Sequence, residues 1–230
     1  MSQKTGLFRS SLSRKYFMAL SGLFLCLFLV VHVAGNLQLF KNDNGESFNK
    51  YTWFMTHNPL IIAVSYINYA MILLHVIDGF LLTRQNKSAR PSAYYKTDQR
   101  KSSTWSSRNM GILGTMILVF LVVHLKTFWF EMHFGAVSTV TYPESNEEYK
   151  DLFTVVQAAF SQSWYVALYV LSMIALSFHL YHGFQSGFQS LGINHHKYTP
   201  VIKVIGIYGF SIIVPALFAA MPLYFFLLNP

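Results

Sequence analysis

Cysteine is almost missing from this chain. Cys26 is the one thiol among 230 residues, so no intrachain disulfide and no cysteine-built metal cluster can form. Charge is scarce too: nine Asp and Glu face seventeen Lys and Arg, and charged residues make up only 11% of the chain. A soluble domain carries about a quarter, whereas a disordered segment combines high charge with low hydrophobicity. With 53% of its residues apolar, the chain fits neither class.

What is present in their place is membrane-length apolar sequence, five times over. The runs are 17–40, 60–83, 110–130, 164–191 and 201–228. Each reaches the ~20 residues needed to cross ~30 Å of hydrocarbon, where a helix is the open-chain way to satisfy the backbone. Pro59 opens the second run at the favourable first helical position, and Pro215 and Pro222 bend the fifth. The expected fold is therefore an all-α bundle of five transmembrane helices forming one domain over residues 1–230. A secretory signal is the rival reading of the first run, because Lys4, Arg9, Arg14 and Lys15 precede it. That run is too long for a signal core, and no A-x-A cleavage site follows.

Charge sets the expected orientation. Four bases precede the first run, and Arg84, Lys87, Arg90, Lys96, Arg100, Lys101 and Arg108 separate the second from the third. Lys197 and Lys203 border the loop before the fifth. Asp43, Glu46, Glu131, Glu144, Glu147, Glu148 and Asp151 fall on the opposite side. The positive-inside rule then places the N-terminus in the cytoplasm and the C-terminus outside. The basic excess is a topological bias and implies no nucleic-acid partner. Trp53, Trp129 and Trp164 suit an outer aromatic belt.

Five of the nine histidines lie inside the runs: His32, His75, His124, His179 and His182. An ionisable group within a membrane span is costly and points to function, although one lone histidine more often serves as interhelical glue. Here the histidines belong to a repeat. Residues 28–32, Phe-Leu-Val-Val-His, recur as 120–124, and His75-Val-Ile-Asp-Gly-Phe is echoed by His179-Leu-Tyr-His-Gly-Phe. The echo aligns His179, not His182, with His75. At 1.5 Å per residue, His32 and His124 lie ~22 and ~21 Å from the cytoplasmic ends of their helices, and His75 and His179 ~12 and ~13 Å. That makes two layers, roughly 10 Å apart.

Two histidines at one depth on two helices suit a six-coordinate haem, which takes one imidazole on each face. Zinc wants three or four ligands close together, and no H-E-x-x-H occurs; the absence of C-x-x-C-H excludes covalent c-type attachment. Bis-histidine ligation leaves no open position on the iron, which favours electron transfer over oxygen activation. Gly22, Gly35, Gly79, Gly111, Gly114, Gly183 and Gly187 allow close helix approach. On the face of the fourth helix toward the cytoplasm, His182 is a candidate contact for an inner haem propionate, and so is Arg108 at the start of the third. Asp78 holds the place on the second helix that His182 holds on the fourth.

Gly22-Leu-Phe-Leu-Cys-Leu-Phe28 leading to His32, and His179 followed by Gly183, Ser186 and Gly192, resemble the cytochrome b membrane-anchor subunit of succinate dehydrogenases and fumarate reductases. The likeness is to the single-chain, five-helix, two-haem type, and it covers nearly the whole chain. It implies two haem b groups, an outer one held by His32 and His124 and an inner one by His75 and His179. It also implies flavoprotein and iron–sulfur partner subunits on the cytoplasmic side, exchange of electrons with a membrane quinone, commonly menaquinone, and a place in the bacterial cytoplasmic membrane. No succinate site is expected in this chain itself. Some relatives carry a glutamate where Ser177 stands here, so the proton path assigned to it there is not expected. Some relatives also need a glutamate near the outer quinone site; Glu46 is the nearest acid here and the candidate for that role, although its spacing to His75 departs from theirs. The alternatives are a dihaem cytochrome b of a formate or hydrogen oxidation complex, and a non-redox transporter that relays protons through its histidines.

Overall fold

The computed structural model describes residues 11–88, 103–143, 145 and 147–228. Lys4, Arg9, Arg90, Lys96, Arg100, Lys101 and Glu144, used above for orientation, lie outside the described residues. Among the described residues, five helices are long and apolar enough to cross a membrane: Leu12–Phe40, Pro59–Ser88, Met110–Phe134, Ser163–Ser190 and Thr199–Leu228. They match the five expected runs and mostly outrun them. The first helix is already formed at Ser11, six residues ahead of the expected run, and the second still holds at Ser88, five residues past Thr83, both at an edge of the described residues.

Side-chain contacts fix their directions. Gly22 of the first span lies beside His75 of the second and Gly79 beside Met18, so these two are antiparallel. Gly111 meets Thr83, while Trp129 donates its indole N–H to Tyr69 at 2.7 Å, which sets the third span antiparallel to the second. His124 meets Tyr169, Phe128 meets Tyr165, and Phe184 lies beside Gly206, so direction keeps alternating through the fifth. Arg14, Lys15, Arg84, Lys87, Arg108, Lys197 and Lys203 therefore gather at one end, the N-terminal face. Asp43, Glu46, Glu131, Glu147, Glu148 and Asp151 gather at the other.

The fourth span is the hub, packing against the first, third and fifth. Ten of its residues are buried, whereas the second span buries Asn68 alone among its described residues. A largely apolar helix with so little protein cover is suited to present its sides to lipid. At the N-terminal face the fourth span ends in a Schellman turn. Gly192 takes φ +76°, its N–H donates to Gln189 O, and the Ile193 N–H reaches Phe188 O at 3.0 Å.

The acidic end carries a cap that the apolar runs did not foretell. Helices Glu46–His57 and Leu152–Phe160 and a small antiparallel hairpin, β1 (Thr139–Thr141) with β2 (Glu148–Lys150), lie between the spans. The hairpin qualifies the all-α expectation. Three-residue strands leave too short an alternation for sequence pattern to show. The cap turns on Asn49, which is 0% exposed. Its amide N–H groups donate to Tyr142 OH and Asp151 Oδ1, both at 2.9 Å, and its Oδ1 accepts from the Phe153 N–H at 3.0 Å. One amide thus ties the first cap helix to the hairpin segment and the second cap helix. Burial alone raises the Asp43 carboxyl, but hydrogen bonds from Ser47 and Gly45 and the charge of Lys41 outweigh it and hold the group below its ordinary value.

In the fifth span Pro215 costs the helix a hydrogen bond, and a neighbour replaces it. Pro215 has no N–H for the Ser211 carbonyl four residues back. Ser177 Oγ of the fourth span donates to that carbonyl instead. The preceding turns, Ile205–Ile213, widen into a π-helix, where Ser211 Oγ donates to Gly206 O at 2.6 Å. Pro222 is fully buried within the helix that follows.

Asn49 itself is fully buried and bonds three half-buried partners, so Asn49→Ala breaks three bonds at once and should cost about 2–4 kcal/mol. Thermal unfolding of the detergent-solubilised chain, with protease cleavage in the cap as a second readout, checks this. Tyr142→Phe, which removes one bond, should cost only about 1 kcal/mol.

Candidate functional site

The structure brings four histidines together as two pairs. The His32 and His124 rings stand 5.9 Å apart between centroids at an interplanar angle of 87°, and His75 and His179 stand 6.2 Å apart at 69°. The first pair joins the first and third spans; the second joins the second and fourth. The ring facing His75 is that of His179, not that of His182 one turn away.

Glycine makes room for the second pair. A Cβ on Gly22 would come within 3.2 Å of His75 Cε1, and one on Gly114 within 3.9 Å of His179 Cε1. Gly22 precedes His32 by ten residues and Gly114 precedes His124 by ten. The first and third spans thus repeat one device: a glycine that receives the neighbouring helix's histidine, then a histidine of their own. That spacing was readable in the sequence and extends the repeat. Ten residues at 1.5 Å rise put the His32 backbone ~15 Å along its helix from Gly22, beside which the His75 ring lies, so the two pairs sit at separate depths.

Around the first pair the walls are aromatic. Phe28 stacks on His32 at 5.2 Å and Phe218 lies 5.5 Å from it; Phe120 and Phe128 lie 5.6 and 5.4 Å from His124. The Nδ1 atoms of the four rings are held differently. His124 Nδ1 is 2.6 Å from Tyr169 OH, and His75 Nδ1 is 3.0 Å from Ser21 Oγ. His32 Nδ1 has the Asn36 amide at 3.4 Å, a long contact. His179 Nδ1 is buried with no hydrogen-bond partner. Leu113 explains this: it takes the place in the third span, next to Gly114, that Ser21 takes next to Gly22. Neither Ser21 nor Tyr169 stands out in the sequence, because a serine or tyrosine in a membrane helix is common and only packing reveals what it meets.

The fit of a haem is tested by these distances. Two imidazoles bound through Nε2 to opposite faces of one metal have ring centres about 6 Å apart, from a metal–nitrogen bond of roughly 2 Å and about 1 Å more to each centre. The observed 5.9 and 6.2 Å meet that requirement. Hydrogen bonding at Nδ1 of His124 and His75 leaves Nε2 as the free donor, the arrangement usual for metal-bound histidine. Among the described residues no group of three or more His, Cys, Asp or Glu converges as a metal site.

The remaining candidates sit elsewhere. Arg108 donates to the Ser103 carbonyl at the N-terminal face. His182 is half-buried on the fourth span. The charge facing Asp78 is Arg14 of the first span. Glu46 pairs with Lys50 at 2.5 Å on the first cap helix. Ser177 is occupied by the Ser211 carbonyl. Trp53, stacked on His57 at 4.5 Å, and Trp129 and Trp164 all lie toward the capped end. Cys26 is buried beside Met173, Leu176, Leu180 and Phe184 as a small apolar residue.

In comparison with known proteins, no family model, no curated protein and no solved structure matches this chain.

Gly22→Leu should push His75 from its seat and destabilise the chain by about 1–3 kcal/mol. Gly183 has nothing within 4 Å of an added Cβ, so Gly183→Ala should be neutral or stabilising by up to about 1 kcal/mol. Thermal unfolding midpoints of the two variants, measured side by side, test the contrast.

Proposed function

We propose that this chain is a dihaem cytochrome b that anchors a succinate:quinone oxidoreductase and passes electrons across the membrane between an iron–sulfur subunit and a quinone. The observation that carries the dihaem part is the paired imidazoles, at 5.9 and 6.2 Å, on four spans and at two depths. A haem iron with an imidazole on each face supplies one-electron transfer and offers no open position for other ligands. His32 and His124 would hold one group, and His75 and His179 the other. Tyr169 and Ser21 orient His124 and His75 through their Nδ1 atoms. Phe28, Phe120, Phe128 and Phe218 keep water from the first pair.

A two-donor set favours haem over tetrahedral zinc, which takes four ligands. The succinate dehydrogenase or fumarate reductase assignment rests on the sequence resemblance. So do menaquinone as the quinone, the flavoprotein and iron–sulfur partners, and the bacterial cytoplasmic membrane. Segregation of the bases to the N-terminal face supports a cytoplasmic N-terminus by the positive-inside rule. His182 and Arg108 are proposed near the inner haem propionates, both lying toward that face. Glu46, paired with Lys50 on the first cap helix, is proposed as a quinone-site residue.

A pyridine haemochrome assay on the purified chain should find about two b-type haems. His32→Ala or His124→Ala should remove one of them and His75→Ala or His179→Ala the other, with His182→Ala keeping both. Absence of haem from the wild-type chain ends the redox reading and leaves the proton-relay transporter. Co-purification with flavin and iron–sulfur subunits separates the succinate or fumarate complex from a formate or hydrogen oxidation complex.

A further inference from the structure

The ligand frame of this protein repeats, but the groups behind the ligands do not, and the sharpest departure is Tyr169. The two halves superpose in sequence by matching His32 with His124 and His75 with His179. On that match the counterpart of Tyr169 in the second span is Ser65, whose hydroxyl donates to its own helix at Ile62 O and not to a histidine. The counterpart of Asn36 in the third span is Phe128, which lies against His124 and bonds nothing. His32 therefore has only a long amide contact at Nδ1, while His124 has a phenol at 2.6 Å.

That phenol is fixed in place. Tyr169 is 6% exposed and boxed by Phe120 at 4.8 Å, Phe160 at 5.0 Å and Tyr165 at 5.1 Å. It sits where no water competes for the bond, so the interaction keeps its full strength. When a histidine binds a metal through Nε2, its Nδ1 carries the proton and becomes the donor. His124 Nδ1–H then donates to the Tyr169 oxygen. An acceptor behind a ligating imidazole raises its basicity and favours the more highly charged, oxidised metal.

We propose that Tyr169 is a positioning residue for His124 and sets the reduction potential of the outer haem through this single hydrogen bond, leaving the inner haem untouched. The proposal rests on the reading of His32 and His124 as haem ligands. It predicts that the outer haem's potential is held lower than its two histidines alone would give.

The test is potentiometric titration of the haem α-bands on the full chain, with the low-spin ferric EPR spectrum recorded alongside. The outer haem is identified as the component lost in His32→Ala. Tyr169→Phe removes the acceptor and should raise the outer midpoint and shift its g-values, with the inner component unmoved. Replacing Tyr169 by 3-fluorotyrosine keeps the shape but weakens the oxygen as an acceptor, and should give a smaller shift of the same sign. Ser21→Ala, which touches only the inner pair, should leave the outer component where it was. Outer midpoints that stay unchanged in both Tyr169 variants overturn the proposal, as do equal shifts in both haems. Should Tyr169→Phe lose the outer haem altogether, the fluorotyrosine chain decides on the same criterion. A wild-type chain without haem overturns the ligand reading itself, a result the stoichiometry shows before any midpoint is compared.

Discussion

A polar group carried into an apolar bundle must find its partner there, because no water follows it, and the packing of this protein is arranged around that constraint. His75, whose Nδ1 lies 3.0 Å from Ser21 Oγ, shows it most directly, and both it and His179 make a steric demand as well. Each ring needs width, and the facing helix supplies it by giving up a side chain at Gly22 or Gly114. The same demand accounts for the seam between the fourth and fifth spans. Pro215 frees a carbonyl, and the Ser177 hydroxyl of the neighbouring helix is spent on it. Helix spacing and helix register thus follow from polar groups that are few in number and individually placed.

How much of this the sequence disclosed depended on how long each signal was. Five runs of twenty or more apolar letters define five spans, and the helices outrun them where polar residues continue the helix, as toward Ser11 and Ser88. The histidine pairing was legible because it rests on a repeat and on counting along helices. The cap was not. Its strands are three residues each, its helices are mixed in character, and the amide that joins them, Asn49, meets residues about a hundred positions away. Tyr169 and Ser21 escaped for a related reason: their roles depend on which helix lies opposite, at which height.

The internal echo divides cleanly into what is kept and what is not. The four histidines recur in both halves, and so do Gly22 and Gly114, ten residues before His32 and His124. Ser21 against Leu113, Asn36 against Phe128, and Ser65 against Tyr169 do not. Equal frames with unequal surroundings give two sites the same ligands and different electronics, which a pair of identical sites lacks. On the haem reading, this lets one fold hold two groups of different potential without changing the chemistry of attachment.

Asn49 also imposes an order on assembly. The first two spans form a helical hairpin of their own, and its antiparallel contacts need nothing from the rest of the chain. The amide between those spans is different: its partners, Tyr142, Asp151 and Phe153, are synthesised some ninety to a hundred residues later. Until they arrive, the loop that will become the cap has no reason to leave water. Long-range closure of this kind is slow compared with helix pairing. The Asn49 bonds that close the surface over the far end can therefore form only once the third span and the segment beyond it are in place.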